Sequence, residues 1–283
     1  MVIERAPLED ELGDVLDKAI RRSGLNEHEV AEQTSIPVER LQAVIDYTER
    51  LNPGEVAKLA KLLELNPVGL AAVASENYPL PEISGLPFCL YPLRMPHGIG
   101  VANAYLVADC CEDWGILFDC GVGAEGLWRN WPAKIKRIAA VFITHYETEH
   151  CGGLSAIRSR FPAAPIFGPA VDNKPSGVIS VDDGAVIREQ GFAVTVRSCP
   201  GHSEGHHCYE VGVAEAPTGR RLLVSGDLLF AGSVGGAYFC RRRLAASLQQ
   251  VFAHSANDTV VAPGHGPLTT IANERAYNPF VGT

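Results

Sequence analysis

Four strand-like segments of this 283-residue chain each lead into a glycine- or proline-bearing turn that carries histidine or aspartate. That recurrence restricts the fold more than any other feature. The first segment, Ile138-Ala-Ala-Val-Phe-Ile143, runs into Thr144-His-Tyr-Glu-Thr-Glu-His150 and a glycine pair at 152 and 153. It sets His145, Glu147, Glu149 and His150 within six residues. The second, Cys199-Pro-Gly-His-Ser-Glu-Gly-His206, offers His202 on a turn. The third, Leu222-Leu-Val-Ser-Gly-Asp-Leu-Leu-Phe230, ends its apolar run at Asp227, and the fourth, Val260-Val-Ala-Pro-Gly-His-Gly-Pro267, ends at His265. Short apolar runs closed by glycine or proline read as buried strands, and loops placed by such a scaffold are where function sits. Imidazoles and carboxylates crowded this tightly call for a cation to compensate them, and packing does not explain four repeats. The segments therefore predict a metal centre.

The order of these segments, from about 88 to 270, resembles the metallo-β-lactamase superfamily, whose usual first motif is His-x-His-x-Asp-His followed by two glycines. Asn103-Ala-Tyr-Leu-Val107 and Ile116-Leu-Phe-Asp-Cys-Gly121 are similar to that superfamily's first strands. The resemblance implies an α+β fold, a four-layer αβ/βα sandwich with the site at one edge between the sheets. It also implies two divalent metal ions. His145, Glu147 and His202 would hold one; Glu149, His150 and His265 would hold the other; Asp227 would bridge them. Asp227 and Glu149 are the expected catalytic pair. Two positions depart from the pattern, because Glu147 stands where histidine is usual and Glu149 where aspartate is usual. Carboxylate in place of imidazole makes the first site harder and moves its preference from zinc toward iron or manganese. Glu147 is similar in this to the flavodiiron proteins. Glu149 is one methylene longer than aspartate, so its carboxylate must fold back or displace the second metal. His145, His202 and Asp227 also make a two-histidine, one-carboxylate set, which resembles the mononuclear iron site of persulfide dioxygenases.

The activity implied is a metal-dependent hydrolase that directs a metal-activated water at a small ester, thioester or lactone. Two alternatives stand beside it: a non-haem iron redox or oxygen-handling protein, di-iron or mononuclear, and a metal-domain sensor coupled to a regulator. The strands look most like the glyoxalase II group, yet only 18 residues follow His265, too few for that group's glutathione-binding helices. Asp119 and Thr144 are expected to orient ligating imidazoles, with a turn role for Asp119 as the alternative. His97, Tyr146, His206, Tyr238 and Arg241 to Arg243 are candidates for the pocket rim. The arginines also read as the solvated start of a helix through Leu244, Leu248 and Val251. His207 reads as structural, and His28 and His254 have no assigned role.

Residues 11 to 75 carry helical periodicity and little strand character, which sets off a domain at 1–76, a linker at 77–87 rich in proline and glycine, and a metal domain at 88–283. Leu12, Val15, Leu16 and Ile20 share one helical face; Gly24 can end that helix; Asn26 can cap the next, Glu27 to Gln33. Pro37 can open a third helix through Ile45. Val56 to Leu63 and Pro67 to Ala74 read as two more. The succession resembles the phage-repressor type of helix-turn-helix domain. Its charge opposes DNA binding, however. Residues 1–76 hold 15 acidic and 8 basic side chains, whereas specific DNA binders draw much affinity from cationic phosphate contacts. Only Arg40 and Gln42 on the third helix could read bases. A small-molecule substrate is expected, with a docking role or homodimer for the helical unit in preference to DNA. The eight cysteines lack a Cys-x-x-Cys pair and read as reduced thiols. No apolar run approaches the roughly 20 residues that span a bilayer, and no secretory signal opens the chain. The expected location is the cytoplasm.

Overall fold

Five short helices open the chain, which a computed structural model describes over residues 6–98, 100–216 and 218–282. Helix α1 (Leu12–Ser23) buries Val15, Leu16, Ala19 and Ile20 and ends at Gly24, whose φ of 81° is the left-handed cap glycine tolerates. Helix α2 (Glu27–Thr34) starts in a reciprocal box in which Asn26 accepts from the Glu29 amide and Glu29 accepts from the Asn26 amide. Helix α3 (Val38–Ile45) has Pro37 one position ahead of its first turn. Helix α4 begins earlier than its apolar spacing indicates, at Pro53–Leu62, because the Asn52 carboxamide accepts from the Gly54 and Glu55 amides. Asn66 caps helix α5 (Pro67–Ala74) in the same way.

The rest is sheet-rich. Strands β1 (Cys89–His97), β2 (Gly100–Ala108) and β3 (Trp114–Phe118) form an antiparallel meander. After helix α6 (Ala124–Arg129), strand β4 (Arg137–Phe142) joins β3 in parallel. Helices α7 (Thr148–Cys151) and α8 (Leu154–Arg160) lead to β5 (Ile166–Gly168) and β6 (Ile179–Ser180), which complete a six-stranded sheet in chain order. Strands β7 (Val186–Glu189), β8 (Phe192–Ser198), β9 (His207–Val213) and β10 (Leu222–Gly226) begin a second sheet. A two-stranded ribbon, β11 (Leu229–Phe230) with β12 (Ser233–Val234), precedes helix α9 (Arg241–His254). Strands β13 (Val260–Pro263) and β14 (Thr269–Thr270) and helix α10 (Ile271–Tyr277) end the order, and the second sheet runs β14-β13-β10-β9-β8-β7.

The two sheets face each other across a core that includes Tyr105, Phe118, Phe142, Val196, Tyr209, Val224 and Ala262. Outside the first sheet, Leu117 and Val141 pack with Leu127 of α6 and Ile157 of α8. Outside the second, Leu223 and Val261 pack with Leu244 and Val251 of α9 and Ile271 of α10. The result is a helix, sheet, sheet, helix stack, since each sheet has one face for its partner sheet and one for a helix.

Segment 77–87 carries no regular structure but is tied down. The Tyr78 hydroxyl sits 2.9 Å from the buried Glu274 carboxylate, and Asn273 donates to the Pro79 carbonyl. The helical segment docks on the sheets as well. Lys18 donates to the Val234 carbonyl at 2.9 Å, the Ser233 hydroxyl donates to Asp10, and Asn66 donates to the Ala276 carbonyl at 3.0 Å.

One expectation is overturned: Cys89 and Cys110 form a disulfide with a Cα–Cα separation of 5.2 Å, inside the usual span. The β1–β2 register sets Cys89 opposite Ala108, so Cys110 returns beside it. Composition holds no information on that register. The other six cysteines are free thiols.

Candidate metal centre

Strand ends and the turns after them bring the seven ligand candidates to one edge of the stack. His145 and Glu147 follow β4, and Glu149 and His150 lie on the single turn of α7. His202 follows β8, Asp227 follows β10, and His265 follows β13. Two glycines make this convergence sterically open. A Cβ on Gly264 would lie 2.0 Å from Asp227 Oδ1, and one on Gly201 (φ 147°) would lie 2.3 Å from the α9 backbone at Leu244.

Three sets of donor atoms gather within 4.8 Å of one another: His145 with Glu147 and His202, Glu149 with His150 and His265, and His145 with His150 and Asp227. Asp227 lies between the first two sets, with Oδ2 at 3.8 Å from His202 Nε2 and 3.4 Å from His265 Nε2, and Oδ1 at 3.4 Å from His150 Nε2. Glu147 Oε1 approaches His202 Nε2 to 3.1 Å.

Each of the four imidazoles uses Nδ1 outward and turns Nε2 inward. His202 Nδ1 donates to the Gly236 carbonyl and His265 Nδ1 to the Val101 carbonyl, both at 3.0 Å. His150 Nδ1 faces Asp119 Oδ2 at 3.2 Å. The Thr144 hydroxyl donates to Asp119, so it accepts from His145 Nδ1 at 2.9 Å. Asp119 thus orients His150 directly and His145 through Thr144. It also occupies a left-handed turn (φ 56°), so its two readings hold together. Among the described residues, His145 Nε2, His150 Nε2, His202 Nε2 and Asp227 Oδ1 are shielded from solvent and make no hydrogen bond. Inward lone pairs left unsatisfied are costly unless a cation takes them. The donor set fits divalent metal.

The electrostatics agree with that fit. Burial pushes the Asp227 carboxyl up, but His150 and His265 outweigh it and hold it well below the usual carboxylate range. Burial disfavours charge on His145, whereas at His150 and His202 nearby carboxylates overcome burial and favour a positive charge. Three carboxylates around a few buried imidazoles attract cationic charge.

The rim candidates divide. His97, with Nε2 at 3.5 Å from Glu149, and the 75%-exposed Tyr238, whose ring lies 5.3 Å from that of His202, line a cavity of about 1200 Å³ that opens from the centre. Tyr146 and His206 do not line it. The Tyr146 hydroxyl donates to the Pro169 carbonyl. His206 is fully buried, and its Nε2 accepts from the Asp227 amide at 3.0 Å, so it positions the Asp227 turn. Arg241 lines the cavity and donates to the Arg21 and Arg22 carbonyls at the end of α1, while Arg243 lies over the Phe239 ring. His207 is buried with its pKa lowered to about 4 by burial, as suits a packing residue. Sequence reasoning missed Glu9, whose carboxylate reaches 3.6 Å from His265 Nδ1, and Asn103, which donates to the Pro263 and Gly266 carbonyls and braces the His265 turn. Nothing near Glu9 in the chain marks it as a neighbour of the centre.

The family model described as the metallo-beta-lactamase superfamily matches residues 97–268. The chain is similar to a hydroxyacylglutathione hydrolase of Pseudomonas entomophila (strain L48), with 33% identity over 143 residues, which are 50% of this chain and 53% of that protein. It therefore spans about half of that relative. A probable metallo-hydrolase of Bacillus subtilis (strain 168) is 28% identical over 214 residues, covering 66% of this chain and 96% of its own length. Among solved structures, TTHA1623 in a di-iron-bound form superposes with a TM-score of 0.51 at 29% identity, covering 66% of this chain and 99% of that one.

Proposed function

Because the chain belongs to the metallo-β-lactamase superfamily, we propose that it is a metal-dependent hydrolase of a small ester, thioester or lactone. The observation that carries this reading is the set of inward, unsatisfied Nε2 atoms on His145, His150 and His202 beside Asp227. His145, Glu147 and His202 would hold one metal, Glu149, His150 and His265 the other, and Asp227 would bridge them. Metal bound there supplies an activated water and a polarised carbonyl at neutral pH. The protein's own part is orientation. Asp119, Thr144 and the Gly236 and Val101 carbonyls take up the Nδ1 positions, which leaves each Nε2 free to ligate. His206 secures the Asp227 backbone, and Tyr238 flanks the mouth where substrate enters. The similarity to a hydroxyacylglutathione hydrolase supports a thioester among these substrates.

A second reading, iron with redox or oxygen chemistry, draws on Glu147. Its carboxylate lies in the first donor set, where it favours a harder ion than zinc, and TTHA1623 was solved in a di-iron-bound form. Metal analysis of protein purified without added metal, with assays of ester hydrolysis and oxygen uptake, separates the two. Zinc or iron with ester turnover supports the hydrolase. Iron with oxygen consumption and no ester turnover overturns it.

For the helical segment we propose a docking role in place of DNA recognition. Arg40 is bound by Glu55 at 2.6 Å and by Glu49, and Gln42 donates to Glu27. Both base-reading candidates are thus engaged within the protein.

A further inference from the structure

We propose that Glu9 is a positioning residue of the metal centre, and that through it the strength of the metal position formed by Glu149, His150 and His265 depends on the docked amino-terminal segment. This rests on the two-metal assignment made above for the role of His265, and on geometry for the contact.

The chain just ahead of α1 lies against the His265 turn. A Cβ on Gly266 would stand 3.1 Å from the Glu9 nitrogen and 3.7 Å from the Pro7 carbonyl oxygen, so the two backbones meet there. A Cβ on Gly100, at the start of β2, would stand 3.7 Å from Glu9 Oε1, which sets the side chain between β2 and that turn. The following residues are anchored as well. Asp10 accepts from the Ser233 hydroxyl, and the Glu11 amide donates to Asp14 at 3.0 Å. Residue 9 is fixed from both sides, and its carboxylate rests 3.6 Å from His265 Nδ1. That is the one ion pair of Glu9 among the described residues.

The placement matters because of what stands behind each imidazole. The Val101 carbonyl takes the His265 Nδ1 hydrogen bond at 3.0 Å, so Glu9 acts on the ring by its charge. A carboxylate behind Nδ1 makes the ring more basic and a stronger donor through Nε2. Asp119 does this for His150 at 3.2 Å. Both imidazoles of the second donor set are thus backed by a carboxylate, whereas His202 of the first set rests on the Gly236 carbonyl. Asp119 belongs to the sheet stack, but Glu9 arrives with the amino-terminal segment. Undocking that segment would withdraw the charge from His265, and by linkage a metal held there favours the docked state. The Glu9 side chain keeps 28% of its exposure, which places its effect at the weaker end for such partners.

The test is zinc binding to the purified full-length protein, measured by chelator competition. Glu9→Gln keeps the volume and removes the charge. It should weaken one of the two zinc equivalents by about tenfold and leave the other within about twofold, with the melting temperature of the metal-free protein retained. Unchanged affinities, or a loss shared equally by both equivalents, overturns the proposal. Should the variant misfold, hydrogen exchange on the wild-type protein decides. Zinc should slow the amides of residues 8–15 more than those of α3, none of whose residues lines the cavity; equal slowing overturns the proposal. Neither measurement uses turnover. A zinc equivalent that depends on Glu9, with no ester hydrolysis, keeps the positioning role and sinks the hydrolase. Ester hydrolysis with zinc affinities indifferent to Glu9 does the reverse.

Discussion

Asp119 reaches Thr144 twice, through the backbone amide at 2.8 Å and the hydroxyl at 2.9 Å, and His150 once. One carboxylate therefore governs the tautomer of two imidazoles. Asp119→Asn keeps the volume but presents an amide donor to groups that themselves donate, and it should lower metal affinity or turnover by roughly 10- to 100-fold. Chelator competition measures the first and ester hydrolysis the second; values equal to wild type would deny Asp119 this role. Glu147 is the residue where chemistry stays most open. Its Oε1 lies 3.1 Å from His202 Nε2 and its Oε2 4.0 Å from His145 Nε2. Glu147→His should raise the zinc-to-iron ratio of the purified protein, because imidazole suits the softer ion. If metal content and activity both stay as they were, Glu147 is not a ligand.

Elements whose ends are set by local chemistry were legible from the chain. Gly24 adopts the left-handed cap and Asn26 accepts the Glu29 amide, as their residue types indicate, whereas the equally local caps made by Asn52 and Asn66 came to light only in the folded helices. The β1–β2 hairpin shows the opposite case, since the Cys89–Cys110 bond follows from a register that no local pattern encodes. Helix α10 carries another long-range device. Glu274 is fully buried, accepting from Thr269, the Gly232 amide, Asn278 and Tyr78. Burial outweighs those bonds and raises its pKa above the usual carboxylate value. The folded state thus holds a proton that the unfolded chain releases. Its contribution is complete below the ordinary glutamate pKa and declines as pH climbs through the raised one. Melting temperature should fall across that window, and Glu274→Gln should flatten the slope. A slope of wild-type steepness in the variant would assign the pH dependence elsewhere.

Across the whole molecule, the helical segment and the sheet stack share a boundary through Asp10, Lys18, Asn66 and Tyr78. That docking, the acidic balance of residues 1–76 and the engagement of Arg40 lead to one expectation. Mobility-shift titrations with mixed promoter fragments at physiological salt should show no tight complex. Tight binding that weakens steeply with added salt would restore a DNA-reading role. No helix of the described chain is long and apolar enough to cross a membrane.

The sequence by itself determined the candidate ligands, their order, the strand-and-turn units that present them, and most boundaries of the five amino-terminal helices. Those features depend on residue chemistry and on neighbours a few positions away. Only the tertiary structure decided that Nε2 atoms of histidines from three separate segments converge around Asp227, that His206 supports the Asp227 turn instead of lining the rim, and that Glu9 and α1 border the centre from the far end of the chain. Such contacts depend on strand register and on how one element docks against another. They arise from the burial of whole faces, which no short stretch of sequence specifies.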